Sequence, residues 1–264
     1  MTIFYFTGTG NSLFVARKFA DSAGANLISI PQAMHESKSY KDDCIGFVYP
    51  QYANGLPKMV RSFITNNTFE ADYFFAVNLW SFIHINALGE IASLIPLNYG
   101  AYLRTPMNFI FLLNSPKNPI NMLDKAEKNL NKIISDIISR KSKAIKPKKA
   151  IGNATKYCGE AKFLVSLSCT FCKTCVMICP AKNIDVLDES NYQAIHGNNK
   201  SVVVNAAVKF GTNCENCYAC VNLRPAHAIF ANKATLKRRQ YRNPYVSMAE
   251  IAEVNSPVIE KEAN

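Results

Sequence analysis

The residues best suited to chemistry are seven cysteines in two short runs of the second half of the chain. The first run, CTFCKTCVMICP, holds four cysteines and a following proline, and the second, CENCYACVNLRP, begins its cysteines 45 residues later and holds three. Thiolates bind zinc and iron–sulfur clusters, so the runs predict a metal centre. The candidate ligands are Cys169, Cys172, Cys175, Cys179, Cys214, Cys217 and Cys220.

The spacing of these cysteines favours an iron–sulfur cluster over zinc. Zinc sites use CxxC pairs, usually two pairs for each ion. Three cysteines at successive three-residue intervals instead wrap one corner of a cubane cluster, and CxxCxxCxxxCP resembles the run of bacterial two-cluster ferredoxins. This resemblance implies a small α+β ferredoxin-like domain over residues 151–264. A zinc-bearing nucleic-acid binder is the alternative from another class of protein.

An internal repeat links the two runs but changes at its last position. CPAKNI after the first run becomes RPAHAI after the second, so Arg224 stands where a fourth cysteine is expected. In two-cluster ferredoxins the fourth cysteine of each run ligates the other cluster. The resemblance therefore implies that Cys179 completes a 4Fe–4S cluster with the three cysteines of the second run. The first three cysteines then lack a fourth thiolate, because arginine cannot replace one.

Several states of that first cluster are open on the sequence. It could be 3Fe–4S with one corner missing, or 4Fe–4S with water or another ligand on the fourth iron. Cys158, 11 residues before Cys169, could supply the missing thiolate. The cluster could also be absent. The remaining cysteine, Cys44, falls in an apolar strand pattern and is expected to be a small buried hydrophobic residue.

A second candidate site opens the chain, in YFTGTGNS. The loop follows a strand-like run and precedes a helix pattern, so its hydroxyls and the N–H groups of the helix start can surround a phosphate. It lacks the lysine of a P-loop and the third glycine of a dinucleotide fingerprint, so neither motif is supported. The candidate phosphate ligands are Thr7, Gly8, Thr9, Gly10, Asn11 and Ser12.

This loop is similar to the FMN phosphate loop of flavodoxins, and two later segments extend the resemblance. YPQYANG follows the third predicted strand, where flavodoxins place a loop over the flavin ring. VNLWSFIHIN spans the end of the fourth predicted strand and the loop that follows it, where the third flavin loop is expected. Tyr52 could stack on the ring, Asn54-Gly55 could turn a backbone group toward it, and Trp80 could pack on it or fill the core. The resemblance adds the candidates Pro50, Gln51, Tyr52, Ala53, Asn54, Gly55, Asn78, Leu79 and Trp80.

Alternating strand and helix patterns place these loops in a flavodoxin-like domain over residues 1–150. Alternation of this kind predicts a doubly wound parallel sheet, with ligands at the carboxyl ends of its strands. The helices are predicted from Asn11, over Lys58–Thr65 and along an apolar stripe from Leu123 to Ile138. The strands are predicted at Thr2–Phe6, Asn26–Ile30, Cys44–Tyr49, Tyr73–Leu79 and Ala101–Leu113. The 34 residues between the two runs predict an inserted hairpin.

Composition and charge indicate which kinds of partner and which compartment to expect for this 264-residue chain. No basic leader precedes the first strand, and no apolar stretch runs uninterrupted for the ~20 residues that a membrane span needs. We therefore expect a cytoplasmic protein with no membrane span. The nine cysteines are mostly clustered, which indicates metal rather than a disulfide framework. The formal charge of +11 predicts an acidic redox partner protein. No aromatic recognition motif accompanies that charge, so nucleic acid is not expected.

The order of the two halves resembles the flavodoxin–ferredoxin fusion electron-transfer proteins of anaerobes. The resemblance covers nearly the whole chain, including the closing RRQYRNPYV. It implies an intramolecular electron relay between FMN and the iron–sulfur clusters, for which the protein supplies positioning and electrostatics. Two other functions stay open. One is a flavin-dependent reductase of a small substrate fed by the clusters, and the other is a redox or iron sensor that uses the incomplete first cluster.

Overall fold

A five-stranded parallel sheet organises the first half of the chain. The computed structural model describes residues 1–34, 37–52, 55–82, 86–111, 113–149, 163–186, 208–232 and 234–256. The sheet strands are β1 Thr2–Tyr5, β2 Asn26–Ser29, β4 Cys44–Pro50, β6 Tyr73–Trp80 and β7 Tyr99–Arg104. Their order is β2-β1-β4-β6-β7, and all neighbouring pairs are parallel. This order is that of flavodoxin-like sheets, so the predicted parallel α/β sheet is confirmed.

Helices cover the sheet and explain the composition of its strands. The helices of this half are α1 Asn11–Ala23, α2 Ile30–Ala33, α3 Lys58–Thr65, α4 Ala87–Ala92 and α5 Pro119–Ile138. Strands buried on both faces have nearly continuous apolar sequences, as β4 and β6 do. Phe19 of α1 stacks on Phe75 of β6 with ring centroids 5.3 Å apart. Gly46 leaves room for that Phe75 ring, because a Cβ atom there would overlap it. Cys44 is buried in β4, as expected.

Some predicted element bounds were wrong. The pattern Ala101–Leu113 predicted one strand, but β7 ends at Arg104. The Thr105 N–H makes a last bond to the Trp80 carbonyl at 2.8 Å, and the chain then turns away to contact the second half, where Nδ2 of Asn108 donates to the Cys217 carbonyl. The apolar stripe of α5 is buried as predicted except for Ile138, which is exposed at the end of the helix. Two short parallel strands were not predicted, β3 Ser39–Lys41 and β5 Thr68–Glu70.

The second half contains a strand–helix–strand unit twice. The first unit is β8 Leu164–Val165, a helix at Thr174–Met177 and β9 Ile184–Val186. The second is β10 Val208–Phe210, a helix at Ala219–Asn222 and β11 Ile229–Phe230. The units are joined by antiparallel pairing, β8 with β11 and β9 with β10. The β9–β10 pair forms the base of the expected hairpin, whose residues 187–207, with Cys158 of the preceding segment, lie outside the described residues.

The two halves share one hydrophobic core. Ile178, Ala219 and Leu223 of the second half are buried in the cluster that contains the sheet of the first half. A final helix, Met248–Val254, returns to the same core through Ile251. The division at residue 150 stays a prediction, and the described contacts show extensive packing across it. No helix in the described ranges is long and apolar enough to cross a membrane.

Candidate functional site

The two cysteine runs follow the same backbone path. Left-handed φ angles occur at Phe171, Lys173 and Lys182, between 47° and 56°, and recur 45 residues later at Asn216, Tyr218 and His227, between 50° and 58°. Residues other than glycine adopt this region at a cost, and such residues cluster at ligand-binding sites. The offset equals the spacing between Cys169 and Cys214. The sequence repeat is therefore a structural repeat that forms the same loop twice.

Cys179 ends the first run in sequence but lies with the second run in space. Cys179, Cys214, Cys217 and Cys220 line one cavity. Its other walls are mainly apolar and include Phe163, Ile184, Phe210 and Tyr218. Burial, and next the neighbouring Cys179, raise the pKa of the Cys217 thiol well above its ordinary value. Buried thiols of this kind ionise when a metal supplies the compensating charge.

Two backbone N–H groups point at sulfur atoms in this cavity. The N–H of Asn183 donates to Sγ of Cys179 at 3.4 Å, and that of Asn216 donates to Sγ of Cys214 at 3.3 Å. Hydrogen bonds to ligating sulfur stabilise negative charge and tune the potential of a bound cluster. The cavity therefore combines four thiols, a dry apolar wall and N–H donors.

The remaining cysteines of the first run form a more open group. Cys172 is exposed, Cys169 is half-buried and Cys175 is buried. A hydrogen bond with the Thr174 hydroxyl, 3.3 Å from Sγ of Cys172, lowers the pKa of that thiol. Burial, and next the charge of Cys169, raise the pKa of Cys175 to about 11.

Arg224 lies between the two groups of cysteines. The side chain is 5% exposed, and burial lowers its pKa to about 10. Its charge interacts with Cys220 of the second run and with Cys175 of the first. Nη1 donates to the Val221 carbonyl and Nη2 donates to the His227 carbonyl at 2.7 Å. The sequence repeat that equates residues 179 and 224 thus places a cation, rather than a thiol, next to the first run.

The described cysteines do not converge as the ligands of a single metal ion do. Within the described ranges, no group of three His, Cys, Asp or Glu side chains could hold a metal ion. The ligands of one zinc ion converge to about 2.3 Å from its centre. A four-iron cluster instead takes each thiolate at a different corner, so its ligands lie further apart. Four thiols around one cavity fit that larger group.

The loop Thr7–Ser12 joins β1 to α1 at the carboxyl edge of the sheet. Gly10 has a φ angle of +99°, and a Cβ atom there would lie 3.0 Å from the Cβ atoms of Asn243 and Val246. The Gly10 N–H donates to the Thr7 hydroxyl at 3.0 Å. The loop is therefore a tight turn into the helix whose shape requires glycine at this position.

Several N–H groups of this loop lack acceptors. Among the described residues, none accepts a hydrogen bond from the backbone N–H of Thr9, Asn11 or Ser12, although Thr9 and Ser12 are buried. Buried N–H groups are nearly always paired in native structures. At a helix start they combine with the helix dipole to bind anions. The donor set fits a phosphate group.

The C-terminal segment, residues 241–256, donates hydrogen bonds to oxygen atoms of the same loop. The backbone N–H of Asn243 donates to the Thr9 carbonyl at 2.9 Å. The Asn11 side-chain oxygen accepts from the Tyr241 hydroxyl at 2.5 Å and from Nδ2 of Asn243 at 3.0 Å. Nδ2 of Asn11 donates to the Pro106 carbonyl at 3.0 Å. The Asn11 side chain is thus fully used in holding the loop, and the unpaired backbone N–H groups are left for a ligand.

The second candidate loop is a closed turn. Tyr52 and Gly55 exchange backbone hydrogen bonds of 3.2 and 2.9 Å, while Ala53 and Asn54 between them lie outside the described residues. Tyr52 is buried, edge-on to Phe6 with centroids 6.0 Å apart. Its hydroxyl would lie 2.9 Å from a Cβ atom at Gly8, so the first two candidate loops touch.

The other candidates lie on or beside the sheet. Asn78 and Leu79 are buried within β6, where Nδ2 of Asn78 donates to the Tyr49 carbonyl at 3.4 Å. Trp80, at the end of β6, is half-buried with the Arg104 guanidinium 5.6 Å from its ring centroid, so it does not fill the core. Pro50 ends β4, and the Gln51 N–H donates to the Leu79 carbonyl at 2.8 Å.

An ion pair that the sequence did not predict anchors the second loop. Glu90 of α4 is 2% exposed and pairs with Arg61 of α3. Its other oxygen accepts a hydrogen bond from the Leu56 N–H at 3.0 Å. No spacing rule connects the two residues, because they lie on different helices.

Comparisons with known proteins add little to this geometry. No protein-family model and no curated protein matches the chain. Three solved chains match, among them a "putative flavoprotein" from Bacteroides uniformis. That chain is 21% identical with a TM-score of 0.33, and the match covers 39% of this chain and 90% of that one. At this TM-score the likeness carries no argument about function.

Proposed function

We propose that the protein transfers electrons between iron–sulfur clusters in a ferredoxin-like second half, residues 151–264, and FMN in a flavodoxin-like first half, residues 1–150. The observation that carries the proposal is the cavity lined by Cys179 together with Cys214, Cys217 and Cys220. A zinc-binding CxxC pair would not require a cysteine from the other run. A 4Fe–4S cluster shared across a repeat does require one.

The chain supports such a cluster in three ways. Apolar side chains such as Phe163 and Tyr218 keep water from the thiols. The N–H groups of Asn183 and Asn216 donate to sulfur and stabilise added negative charge. The repeated left-handed backbone positions give the two runs the same loop shape, which would present their thiols to a cluster in the same way.

The first half supports the flavin part of the proposal. Unpaired N–H groups at Thr9, Asn11 and Ser12 would hold the terminal phosphate of FMN, and Tyr52, whose hydroxyl lies beside Gly8 of the same loop, could stack on the ring. When bound, FMN exchanges one or two electrons and each cluster exchanges one. The protein contributes a short path, because Gly8 of the phosphate loop contacts Cys217.

The proposal includes an acidic redox partner protein. Cys172 and the neighbouring Lys173 are both exposed, so the first run presents a metal ligand and a positive charge on the same surface. Complex formation that weakens as salt rises from about 0.05 to 0.3 M would support charge steering. Binding that is insensitive to salt would contradict it.

The ligand assignment is tested by comparing Cys179→Ser with Cys169→Ser in anaerobically reconstituted protein. The Cys179→Ser variant should lose the reduced-state 4Fe–4S EPR signal and keep the signal of the other cluster, whereas Cys169→Ser should show the reverse. Cys44→Ser, away from both runs, should keep both signals. Loss of the same signal from Cys179→Ser and Cys169→Ser would place Cys179 with its own run and contradict the proposal.

The exposure of Cys172 also favours a second candidate function, that of a redox or iron sensor. A sensor needs a cluster that responds to solvent, and only the first run has an exposed ligand among the described cysteines. Repeated cycles of oxidation and reduction distinguish the two functions. A first cluster that returns fully after each cycle carries electrons, and one that is lost on oxidation acts as a sensor.

A further inference from the structure

We propose that Arg224 fills the missing corner of the first cluster, which is therefore a 3Fe–4S cluster and not a four-iron cluster with an exchangeable ligand. The inference rests on the proposed function, since it takes Cys169, Cys172 and Cys175 as cluster ligands. The inference concerns which group occupies the place of the missing fourth ligand of that cluster.

Arg224 is held where it is by two fixed bonds. Nη1 and Nη2 donate to the carbonyls of Val221 and His227, which lie three residues before and after it. The side chain is 5% exposed, so it cannot turn to solvent without breaking both bonds. Its planar donor fork is thus set in a single orientation.

One donor of this fork has no partner. Nε of Arg224 is buried and has no hydrogen-bond acceptor among the described residues. Buried polar groups left unpaired cost free energy, so an acceptor beyond the described residues is implied. The structural repeat equates position 224 with Cys179, which lines the cavity of the other run, so Arg224 takes the corresponding place beside the first run. Its charge interacts with Cys220 and next with Cys175, whose thiolates would carry negative charge when a cluster is bound.

A bound 3Fe–4S cluster would supply that acceptor through its sulfides, which carry negative charge and accept hydrogen bonds. A guanidinium stays protonated and has no lone pair for iron, so it can donate to these sulfides but cannot bind a fourth iron. An Fe²⁺ ion entering the corner would lie beside a fixed cation in a medium of low dielectric, which is unfavourable. Arg224 would therefore both stabilise the open corner and keep iron out of it.

The test uses the full chain, reconstituted and kept without oxygen so that oxidative loss of iron is excluded. After one-electron reduction, one equivalent of Fe²⁺ is added, and conversion follows [3Fe–4S]⁰ + Fe²⁺ → [4Fe–4S]²⁺. The wild type should show the oxidised-state 3Fe–4S EPR signal before reduction and show it again, undiminished, when it is reoxidised after the addition and removal of free Fe²⁺. Arg224→Cys should lose that signal and gain one iron per chain. Arg224→Gln, which removes the charge with a similar shape, should convert at an Fe²⁺ concentration at least ~10-fold lower than the wild type requires.

Three results would overturn the inference. The first is a wild type that has no 3Fe–4S signal and holds four irons at the first run, as shown by their loss in Cys169→Ser. This would leave the proposed function intact. The second is conversion of the wild type and Arg224→Gln at the same Fe²⁺ concentration. The third, a wild type with no iron–sulfur cluster, would contradict the proposed function as well. The wild-type signal needs no variant, so a folding defect in Arg224→Cys does not obscure the result.

Discussion

Gly8 of the phosphate loop lies directly against Cys217 of the second cysteine run. A Cβ atom at Gly8 would meet the Cys217 carbonyl oxygen at 3.0 Å and its Cβ atom at 3.2 Å. Asn108 strengthens this junction, since its Nδ2 donates to the same Cys217 carbonyl at 3.1 Å. The phosphate loop and the second cysteine run are therefore in direct contact, which would favour electron transfer between the groups proposed to bind there.

Gly8→Ala should disturb this junction. The added methyl group would press on a backbone oxygen that cannot move freely, so we expect a loss of about 1–3 kcal/mol in unfolding free energy and slower electron transfer between cluster and flavin. Gly24→Ala is the control. Gly24 has a φ of +60° and open space around its Cβ position, so it should cost about 1–2 kcal/mol through backbone strain and leave electron transfer unchanged. Equal transfer rates in both variants, measured by stopped-flow absorbance, would contradict the role of the junction.

Tyr241→Phe should loosen the phosphate loop. It removes the hydroxyl that donates to the Asn11 side chain at 2.5 Å, worth about 1 kcal/mol for a single buried hydrogen bond. If that loss falls on the bound form, FMN affinity measured by fluorescence quenching should fall by up to about 5-fold. Tyr245→Phe is the matched control, because Tyr245 is exposed and only stacks on Phe14. An equal effect of the two substitutions would show that the Asn11 contact does not order the loop.

Glu90→Gln should destabilise the second loop more than its conservative chemistry suggests. Glutamine can still accept from the Leu56 N–H but leaves the Arg61 guanidinium, 26% exposed, without its counter-charge. Breaking a fully buried pair costs about 3–5 kcal/mol, and partial exposure of Arg61 reduces this to about 2 kcal/mol. Glu70→Gln in the exposed Lys41–Glu70 pair is the control and should produce no resolvable change. Urea unfolding of both variants measures the difference, and similar midpoints would be the contrary result.

Glu250 should make the stability of the protein depend on acid pH. Hydrogen bonds with Ser247, and then the contact with Arg17, lower the pKa of Glu250 to about 2. Because this pKa lies below the ordinary value near 4.5, the unfolded chain takes up the proton first as the pH falls. The stabilisation is thus fully present above about pH 4.5 and is lost as the pH falls toward about 2.

The measurement compares the wild type with Glu250→Gln by urea unfolding from pH 7 downward. The advantage of the wild type should be constant to about pH 4.5 and shrink below it. Ser247→Ala removes one side of the capping box, costs about 1 kcal/mol and should flatten much of this dependence. A stability difference between the wild type and Glu250→Gln that stays constant down to pH 3 would refute the lowered pKa of Glu250.

The parallel sheet was predictable because its strands carry local signals. β4 and β6 are unbroken apolar runs that both faces of the sheet bury, and the loop after β1 has its glycines where the chain turns into α1. The repeat of cysteines and its break at Arg224 could also be seen directly, since equivalent positions are 45 residues apart.

What the sequence could not predict depends on contacts between distant residues. The hydrogen bond from the Tyr241 hydroxyl to the Asn11 side chain, 230 residues away, was not predicted. The predicted strand Ala101–Leu113 ended early because the chain beyond Arg104 contacts the second half, where Asn108 bonds with Cys217 and Asn222. The Glu90–Arg61 pair forms only when two helices meet on the folded sheet. The pattern of residues within one short segment contains no information on contacts with residues far away in the sequence.

The central claim is tested most directly by the iron, acid-labile sulfide and flavin content of protein purified without oxygen, with EPR spectra before and after reduction. The account predicts about one FMN and about seven irons per chain, with an oxidised-state 3Fe–4S signal and a reduced-state 4Fe–4S signal. A chain that holds zinc without sulfide would contradict the cluster assignment. Iron–sulfur clusters without any flavin would contradict the relay and the role given to the loop Thr7–Ser12.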